Sequence, residues 1–185
     1  MNLKLFSVYA IACLVTSCSG GVADFEMQYF DLHSVISQSI NRNLEDRPVF
    51  AKEVLIEREV EKITTNDIDW QKELEVFLTA DLNKRDYLNK YSIDSSDRKL
   101  VYTLKENLDA PVKSLTITFD TLSMVKNVEA MLTTNNFLYN SERNLILNYK
   151  SGELHSYEVT GWQQLFIGNK KQYGIKAKKE GQNPS

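Results

Sequence analysis

From Leu100 onward the apolar residues of this chain alternate with polar ones in short runs, a period that strands satisfy and helices do not. Leu100, Tyr102 and Leu104 alternate, as do Leu115, Ile117 and Phe119, and then Val128, Ala130 and Leu132. Side chains of a strand point alternately to opposite faces, so each run marks a strand with one face buried. Further runs at 137–139, 145–149, 154–166 and 172–178 continue the series. Between them stand Asp94-Ser95-Ser96-Asp97, Asn135-Asn136, Ser151-Gly152 and Gly168-Asn169. The last two suit tight hairpins, because glycine and asparagine tolerate positive φ. Short strands joined in succession by such turns predict an antiparallel meander of about six to eight strands.

The preceding stretch has a different period. Phe25, Tyr29, Leu32, Ile36, Ile40 and Leu44 recur at steps of three and four, which describes an amphipathic helix. Pro48 ends it, since the residue before a proline is biased out of the helical region. Phe50 to Thr64 alternates, with Val54, Ile56 and Val60 on one parity and Glu53, Glu57, Glu59 and Glu61 on the other. That predicts one half-exposed strand whose glutamates form a solvated face; carboxylates this close on one face repel and make a poor cation site. Asn66 or Asp67 is placed to cap a second helix carrying Trp70, Leu74, Phe77, Leu78 and Leu82, and Asp86 one further turn. The expected fold class is therefore α+β: two N-terminal amphipathic helices packed on the meander.

The first residues constrain location. Met1-Asn2-Leu3-Lys4 precedes an apolar run from Leu5 to Val15, broken only by Ser7 and Tyr9. A basic start, about 7–15 apolar residues and small residues after them describe a secretory signal peptide. The run falls short of the roughly 20 apolar residues a spanning helix needs. It closes on Val15-Thr16-Ser17-Cys18, which resembles the lipobox of bacterial lipoproteins: a branched apolar residue, two small ones, then cysteine. The resemblance implies diacylglyceryl attachment to the Cys18 thiol and cleavage before it, with Val15, Thr16 and Ser17 as the cleavage site. Ordinary secretory cleavage would leave Cys18 an unexplained thiol. Lipidation at Cys13 would shorten the apolar region and put Ala10 where a branched residue is preferred. The expected organisation is a signal peptide at 1–17, a lipidated tether at 18–24, one globular domain at 25–179 and a disordered tail at 180–185. With Cys13 removed and Cys18 a thioether, no thiol remains for a disulfide, a metal thiolate or a nucleophile.

Composition narrows the chemistry further. Removing Lys4 takes 22 basic residues to 21 against 25 acidic, so the net charge moves from −3 to −4. That balance gives no overall bias toward nucleic acid. His33 and His155 stand apart with no motif around either, and no His-Glu-x-x-His, Gly-x-Ser-x-Gly or Gly-rich phosphate loop is present. Asp94-Ser95-Ser96-Asp97 lacks the spaced ligands and distal glutamate of a calcium loop. No metal, no cofactor and no catalysis are expected.

Three features of the last strands remain. Lys170, Lys171, Lys176, Lys178 and Lys179 make the final hairpin basic. They suit either contact with anionic headgroups or polysaccharide, or protection of a terminal edge strand from pairing with another chain. Tyr139, Tyr149, Tyr157, Trp162, Phe166 and Tyr173 concentrate aromatic surface in the same region. Gly161 separates Tyr157 and Val159 of one parity from Trp162 and Phe166 of the other. A β-bulge at Gly161 would bring all four to one face. Tyr157, Trp162, Phe166 and Tyr173 are accordingly the candidate binding face, although filling a core is the commoner use of such residues.

The arrangement after Cys18, above all the segment Asn66-Asp67-Ile68-Asp69-Trp70-Gln71-Lys72-Glu73-Leu74-Glu75-Val76-Phe77-Leu78, resembles small uncharacterised lipoproteins of Bacteroidota-type bacteria. That family brings no known activity. Ser19 rather than aspartate after the cysteine is similar to outer-membrane sorting in Gram-negative bacteria. The acidic stretch common in surface-exported lipoproteins is missing, which favours the periplasmic face. Two functions are expected from this reading. One is a non-catalytic binding or interaction module, held to the membrane by its lipid and meeting an envelope protein, lipid or glycan. The alternative is a half-barrel carrier of lipid or another apolar ligand, LolA-like in layout, which needs an apolar pocket of roughly 300 Å³ or more between helix and sheet.

Overall fold

Alternating burial along the later strands builds one antiparallel sheet, seen in a computed structural model that describes residues 27–181. Its strands are β1 (Phe50–Ile56), β2 (Glu59–Thr65), β3 (Tyr91–Ser96), β4 (Lys99–Leu104), β5 (Val112–Phe119), β6 (Val125–Asn135), β7 (Tyr139–Lys150), β8 (Glu153–Leu165) and β9 (Lys171–Lys179). The order across the sheet is β2-β1-β9-β8-β7-β6-β5-β4-β3. Strands β3 to β9 follow one another as an antiparallel meander that starts one strand earlier than the alternation from Leu100 predicts, and the β1–β2 hairpin adds to its end by pairing β1 with β9. The helices are α1 (Leu32–Asp46, 15 residues) and α2 (Trp70–Glu75, 6 residues). The expected signal peptide with its cleavage site at Val15, Thr16 and Ser17, the expected tether from Cys18, and the last four residues lie outside the described residues.

The α+β layout of two helices on a six-to-eight-stranded meander is therefore corrected to a sheet-dominated fold of nine strands with two short helices among the described residues. Three local causes account for the difference. The alternation from Phe50 to Thr64 is two strands, not one: the chain reverses at Glu57-Arg58, where Glu57 adopts φ 58° without a glycine or proline to announce it. Asp94-Ser95-Ser96 belongs to strand β3, and the reversal comes at Asp97-Arg98. The second helix is capped by Asp69, whose side chain accepts from Lys72 N, and lasts six residues before tightening into a 3-10 segment, Val76–Ala80. Asp86 lies inside a single 3-10 turn, Arg85–Tyr87, rather than at its cap.

Helix α1 also starts later than its stripe predicts. Asp31 accepts from Ser34 N at 2.9 Å and opens the helix. That bond and the Ser34 hydroxyl hold the Asp31 carboxyl below its usual range. Tyr29 and Phe30 precede it as a separate strap, because Asn83 captures their backbone with bonds to Tyr29 N, Tyr29 O and Phe30 O. Arg47 closes the helix in the left-handed region ahead of Pro48, as expected.

Both helices lie on one face of the sheet. Leu32, Ile36, Phe50, Trp70, Leu74, Phe77, Leu115, Ile117, Leu145, Leu147 and Tyr157 are all at most 2 % exposed, so the layer is filled along the middle of the sheet. An open groove of about 530 Å³ with several polar side chains remains between α1 and the β6–β8 end, at Ser39, Arg42, Tyr149 and Leu154. Phe50, Trp70, Phe77 and Tyr157 interlock edge-on, with the Phe50 and Trp70 rings 5.0 Å apart and Trp70 and Tyr157 6.4 Å apart. Beneath α2, Tyr157 Oη donates to Glu73 Oε1 at 2.7 Å while Lys52 Nζ reaches Glu73 Oε2 at 2.8 Å. Burial, then the Glu73 charge, push the Tyr157 phenol upward.

Candidate functional site

Strand pleating distributes the four residues of the predicted binding face between two surfaces. Tyr157 faces the helices and is fully buried. Strand β8 runs without interruption through residue 161, pairing Gly161 with Arg143 on one side and Tyr173 on the other. The expected bulge at Gly161 is therefore absent; the irregularity between β7 and β8 lies at Asn148/Tyr149 instead. Without a bulge Trp162 points to the face opposite Tyr157, where Lys170 Nζ sits 3.7 Å from its ring centroid. Phe166 has left the strand and is 82 % exposed. Tyr173, opposite Gly161, shares the face of Tyr157.

Gly161 has a different use. A Cβ there would collide with the Glu142 carbonyl oxygen and lie 2.8 Å from Tyr173 Oη. The missing side chain lets the Tyr173 phenol lie across β8 and reach Arg143, whose Nε donates to Tyr173 Oη at 3.1 Å. One glycine thus fixes a tyrosine and an arginine on the sheet's inner face.

Beyond the helices this pair borders an open cleft of about 490 Å³. Its floor comes from Leu132, Tyr139, Arg143, Gln163 and Tyr173, and its wall from Thr79, Lys84 and Tyr87 of the 3-10 region. Lys84 is held there by Thr79 O at 3.2 Å and stands 5.4 Å from the Tyr87 ring centroid. The lining carries two cations, three tyrosines and no carboxylate. Neither Arg143 nor Lys84 has an ion-pair partner among the described residues. No family model, curated protein or solved structure matches the chain.

The remaining candidates separate from this cleft. The lysine-rich strand β9 is not an edge, since β1 covers one side and β8 the other. Its lysines engage carboxylates: Lys171 with Glu57 at 2.6 Å, Lys176 with Glu158 at 3.4 Å and Lys179 with Glu153 at 2.9 Å. Those partners hold Glu57 and Glu153 below the usual carboxylate range. Glu53 likewise pairs with Lys62. The predicted glutamate face is thus dispersed around a hairpin. His33 is exposed on α1, with Nδ1 3.4 Å from Ser37 Oγ, and His155 is half-buried on β8, far from it along the fold. No cluster of three or more metal-ligating His, Asp, Glu or Cys residues occurs among the described residues.

Arg143 and Lys84 were missed because neither forms a motif. Arg143 interrupts the apolar parity of β7 with a charge on the inward side, ahead of Leu145 and Leu147. A cation at an inward position is the one signal that pointed to it.

Proposed function

We propose that the chain is a lipid-anchored envelope protein whose folded part acts by binding, and that its ligand is an anion with an apolar or sugar body seated in the Arg143 cleft. The observation that carries this reading is the Arg143 guanidinium, without an ion-pair partner among the described residues and oriented by Tyr173 over Gly161, in a cleft whose described lining offers cations and tyrosines and no acid. A carboxylate or phosphate group gains two-point hydrogen bonds from the guanidinium edge left free by Tyr173. Tyr87, Tyr139 and Tyr173 supply flat amphipathic surface for the rest of the ligand. The reading of the anchor rests on the lipobox at Val15–Cys18, that of the outer membrane on Ser19, and that of its periplasmic face on the missing acidic stretch after the cysteine.

A lipid carrier requires apolar volume between helix and sheet, and Phe50, Trp70, Phe77 and Tyr157 occupy that layer. The open cleft sets Lys84, Thr134, Ser141, Arg143 and Gln163 beside its tyrosines, which suits a charged group better than an acyl chain.

Titration with inorganic phosphate and with glucuronate, followed by the amide resonances of Arg143, Gln163 and Tyr173, tests the site. Saturable shifts confined to this region are expected, and lost in Arg143→Gln. Absence of shifts with both anions removes the anionic-ligand reading. Separately, Cys18→Ser is expected to abolish metabolic labelling by palmitate, and label that persists removes the anchor.

A further inference from the structure

The two ends of the sheet differ in what they expose. Antiparallel order puts the β3–β4 turn at Asp97-Arg98, the β5–β6 turn at Asp120–Met124 and the β7–β8 turn at Ser151-Gly152 together at one end. These tips are polar and closed by their own hydrogen bonds. Asp120 Oδ1 accepts from Leu122 N at 2.8 Å and Met124 N at 3.0 Å, with Leu122 the one large apolar residue exposed in the three turns.

The opposite end carries the β6–β7 and β8–β9 connections. There Phe137 is 83 % exposed, Phe166 82 % and Ile167 84 %, with Leu138 and Leu165 each 56 % exposed. The five form one patch, not two, because Phe166 N donates to Leu138 O at 2.8 Å and ties the tips together. Single exposed apolar residues are ordinary, but a contiguous cluster on hairpin tips marks a surface that something else covers. Nothing in the local structure requires these side chains. The Asn136 side chain closes the β6–β7 turn by accepting from Leu138 N and Tyr139 N, and polar residues at 137 and 138 would serve that turn equally.

What stands directly behind the patch points to the occupant. Lys170, just after Ile167-Gly168-Asn169, stacks on Trp162 of β8, just before the tip, and Lys171 follows, paired with Glu57. An apolar tip backed by a tryptophan and lysines is the pattern of a segment that enters a bilayer interface, with the ring at headgroup level and the ammonium at the phosphates. The path of the chain gives a second, independent indication. The described residues begin at this same end: Gln28 exchanges hydrogen bonds with Asn89, and Tyr29 Oη donates to Tyr87 O, just ahead of β3. Residues 19–26 lead from Cys18 to Met27, and fully extended they span at most about 30 Å. A lipid on Cys18 therefore joins the domain at this end of the sheet, so the tips lie nearer the anchor's point of attachment than the polar end does. Acidic residues are present here too, Glu106 and Asp109 among them, but they lie in the β4–β5 connection and not on the two tips.

We propose that the paired tips Phe137-Leu138 and Leu165-Phe166-Ile167 insert into the lipid bilayer that carries the anchor, so that the domain sits tips-down with the Arg143 cleft opening beside the headgroups. The proposal rests on the Cys18 reading for the bilayer's proximity. Its orientation follows from where the strap at 28–30 joins the sheet. Lipid-linked anions would then reach the cleft from the plane of the membrane.

The test uses the full lipidated chain reconstituted in vesicles of phosphatidylethanolamine and phosphatidylglycerol containing a fraction of acyl-brominated lipid, which quenches tryptophan on contact. Phe166→Trp places a reporter on the tip, and Leu122→Trp places one of similar exposure at the other end. Emission above that of the parent chain is expected to fall at least two-fold for Phe166→Trp and to stay unchanged for Leu122→Trp. Equal quenching at both positions, or none at residue 166, overturns the proposal; the latter is also the outcome if a protein covers the tips. Palmitate labelling is scored on the same preparations, so a chain without label fails on the anchor, whereas a labelled chain with an unquenched tip fails on orientation alone.

Discussion

Strands β7, β8 and β9 pass through two environments on one face, and the contrast separates what holds the molecule together from what it presents. In the half under the helices the inward positions read Leu145, Leu147, Tyr157, Val159 and Ala177, all buried. A few residues along the same strands they read Tyr139, Ser141, Arg143, Gln163 and Tyr173, half-buried to exposed. The backbone pairing is regular across the boundary; the one shift between β7 and β8, at Asn148/Tyr149, lies at the far margin of the covered half. Cover, and not strand geometry, makes the difference: the 3-10 segment at Val76–Ala80 ends the helical layer, and beyond it the sheet stands open. The ordinary packing of the first half is what frees the second to carry charge and aromatic surface.

The covered half should tolerate truncation worst. Trp70→Ala removes the ring against which Phe50 and Tyr157 pack and leaves a cavity too large for α2 to close, since that helix has only six residues. A loss of about 3–5 kcal/mol is expected in urea denaturation, as for large aromatic truncations in other cores. A cost below about 1 kcal/mol would mean that α2 rests loosely on the sheet and that the two halves differ less than their burial suggests.

How much of this was legible in the sequence follows the same division. Most of the alternation from β4 to β9, the turn at Ser151-Gly152 and the stop at Pro48 were legible, because burial of one face enforces a clean period and φ 75° at Gly152 suits glycine. The runs at 137–139 and 145–149, read as separate strands, are one strand, β7, from Tyr139 on. The β1–β2 hairpin was hidden. Glu57 and Arg58 keep the alternation going, and only tertiary pairing with β9 shows where the chain turns. Helix lengths were overestimated for a similar reason: Tyr29 and Phe30 hold the helical spacing but are drawn into a strap by Asn83, a partner 53 or 54 residues away. At the site, Tyr157 and Tyr173 do share a face, but Trp162 and Phe166 do not join them. Parity alone could not tell a bulge at Gly161 from a glycine that yields space to the ring of Tyr173.

Gly161 lies on the border, so its substitution should touch both halves. In Gly161→Ala the methyl group meets the Glu142 carbonyl, a backbone atom that cannot step aside cheaply, and displaces the Tyr173 hydroxyl from Arg143. Overpacking of this kind costs about 1–3 kcal/mol. The sharper readout is the cleft, where anion-induced shifts should weaken even at temperatures where the variant is fully folded. Tyr173→Phe provides the control: it removes the same Arg143 bond without strain, so it should weaken the shifts while leaving stability within about 1 kcal/mol of the parent. If Gly161→Ala binds phosphate or glucuronate as well as the parent does, the glycine serves packing only and the border has no functional meaning.

The smallest effect concerns how tightly the far margin of the covered half is closed. Tyr149 lies beside α1, its hydroxyl 3.0 Å from Ser39 Oγ, which in turn donates to Val35 O. Burial pushes this phenol up to about 12 from an ordinary 10.0, and the bond with Ser39 offsets part of the rise. The folded state therefore keeps a proton that the unfolded chain gives up above pH 10. The stability tied to that proton is complete below about pH 10 and is lost as pH climbs toward about 12. Tyr87, Tyr91, Tyr102 and Tyr157 are displaced in the same direction by burial, so alkaline unfolding draws on all of them. Tyr149→Phe should cost about 1 kcal/mol at neutral pH for the lost hydrogen bond. Between pH 10 and 11 its stability should then fall less steeply than the parent's, by up to about 1.4 kcal/mol per pH unit, one proton's worth. Denaturant melts across that interval read both quantities. Parallel slopes for variant and parent would show that water already reaches the Tyr149 hydroxyl, and that the helical cover gives way along α1 before the sheet does.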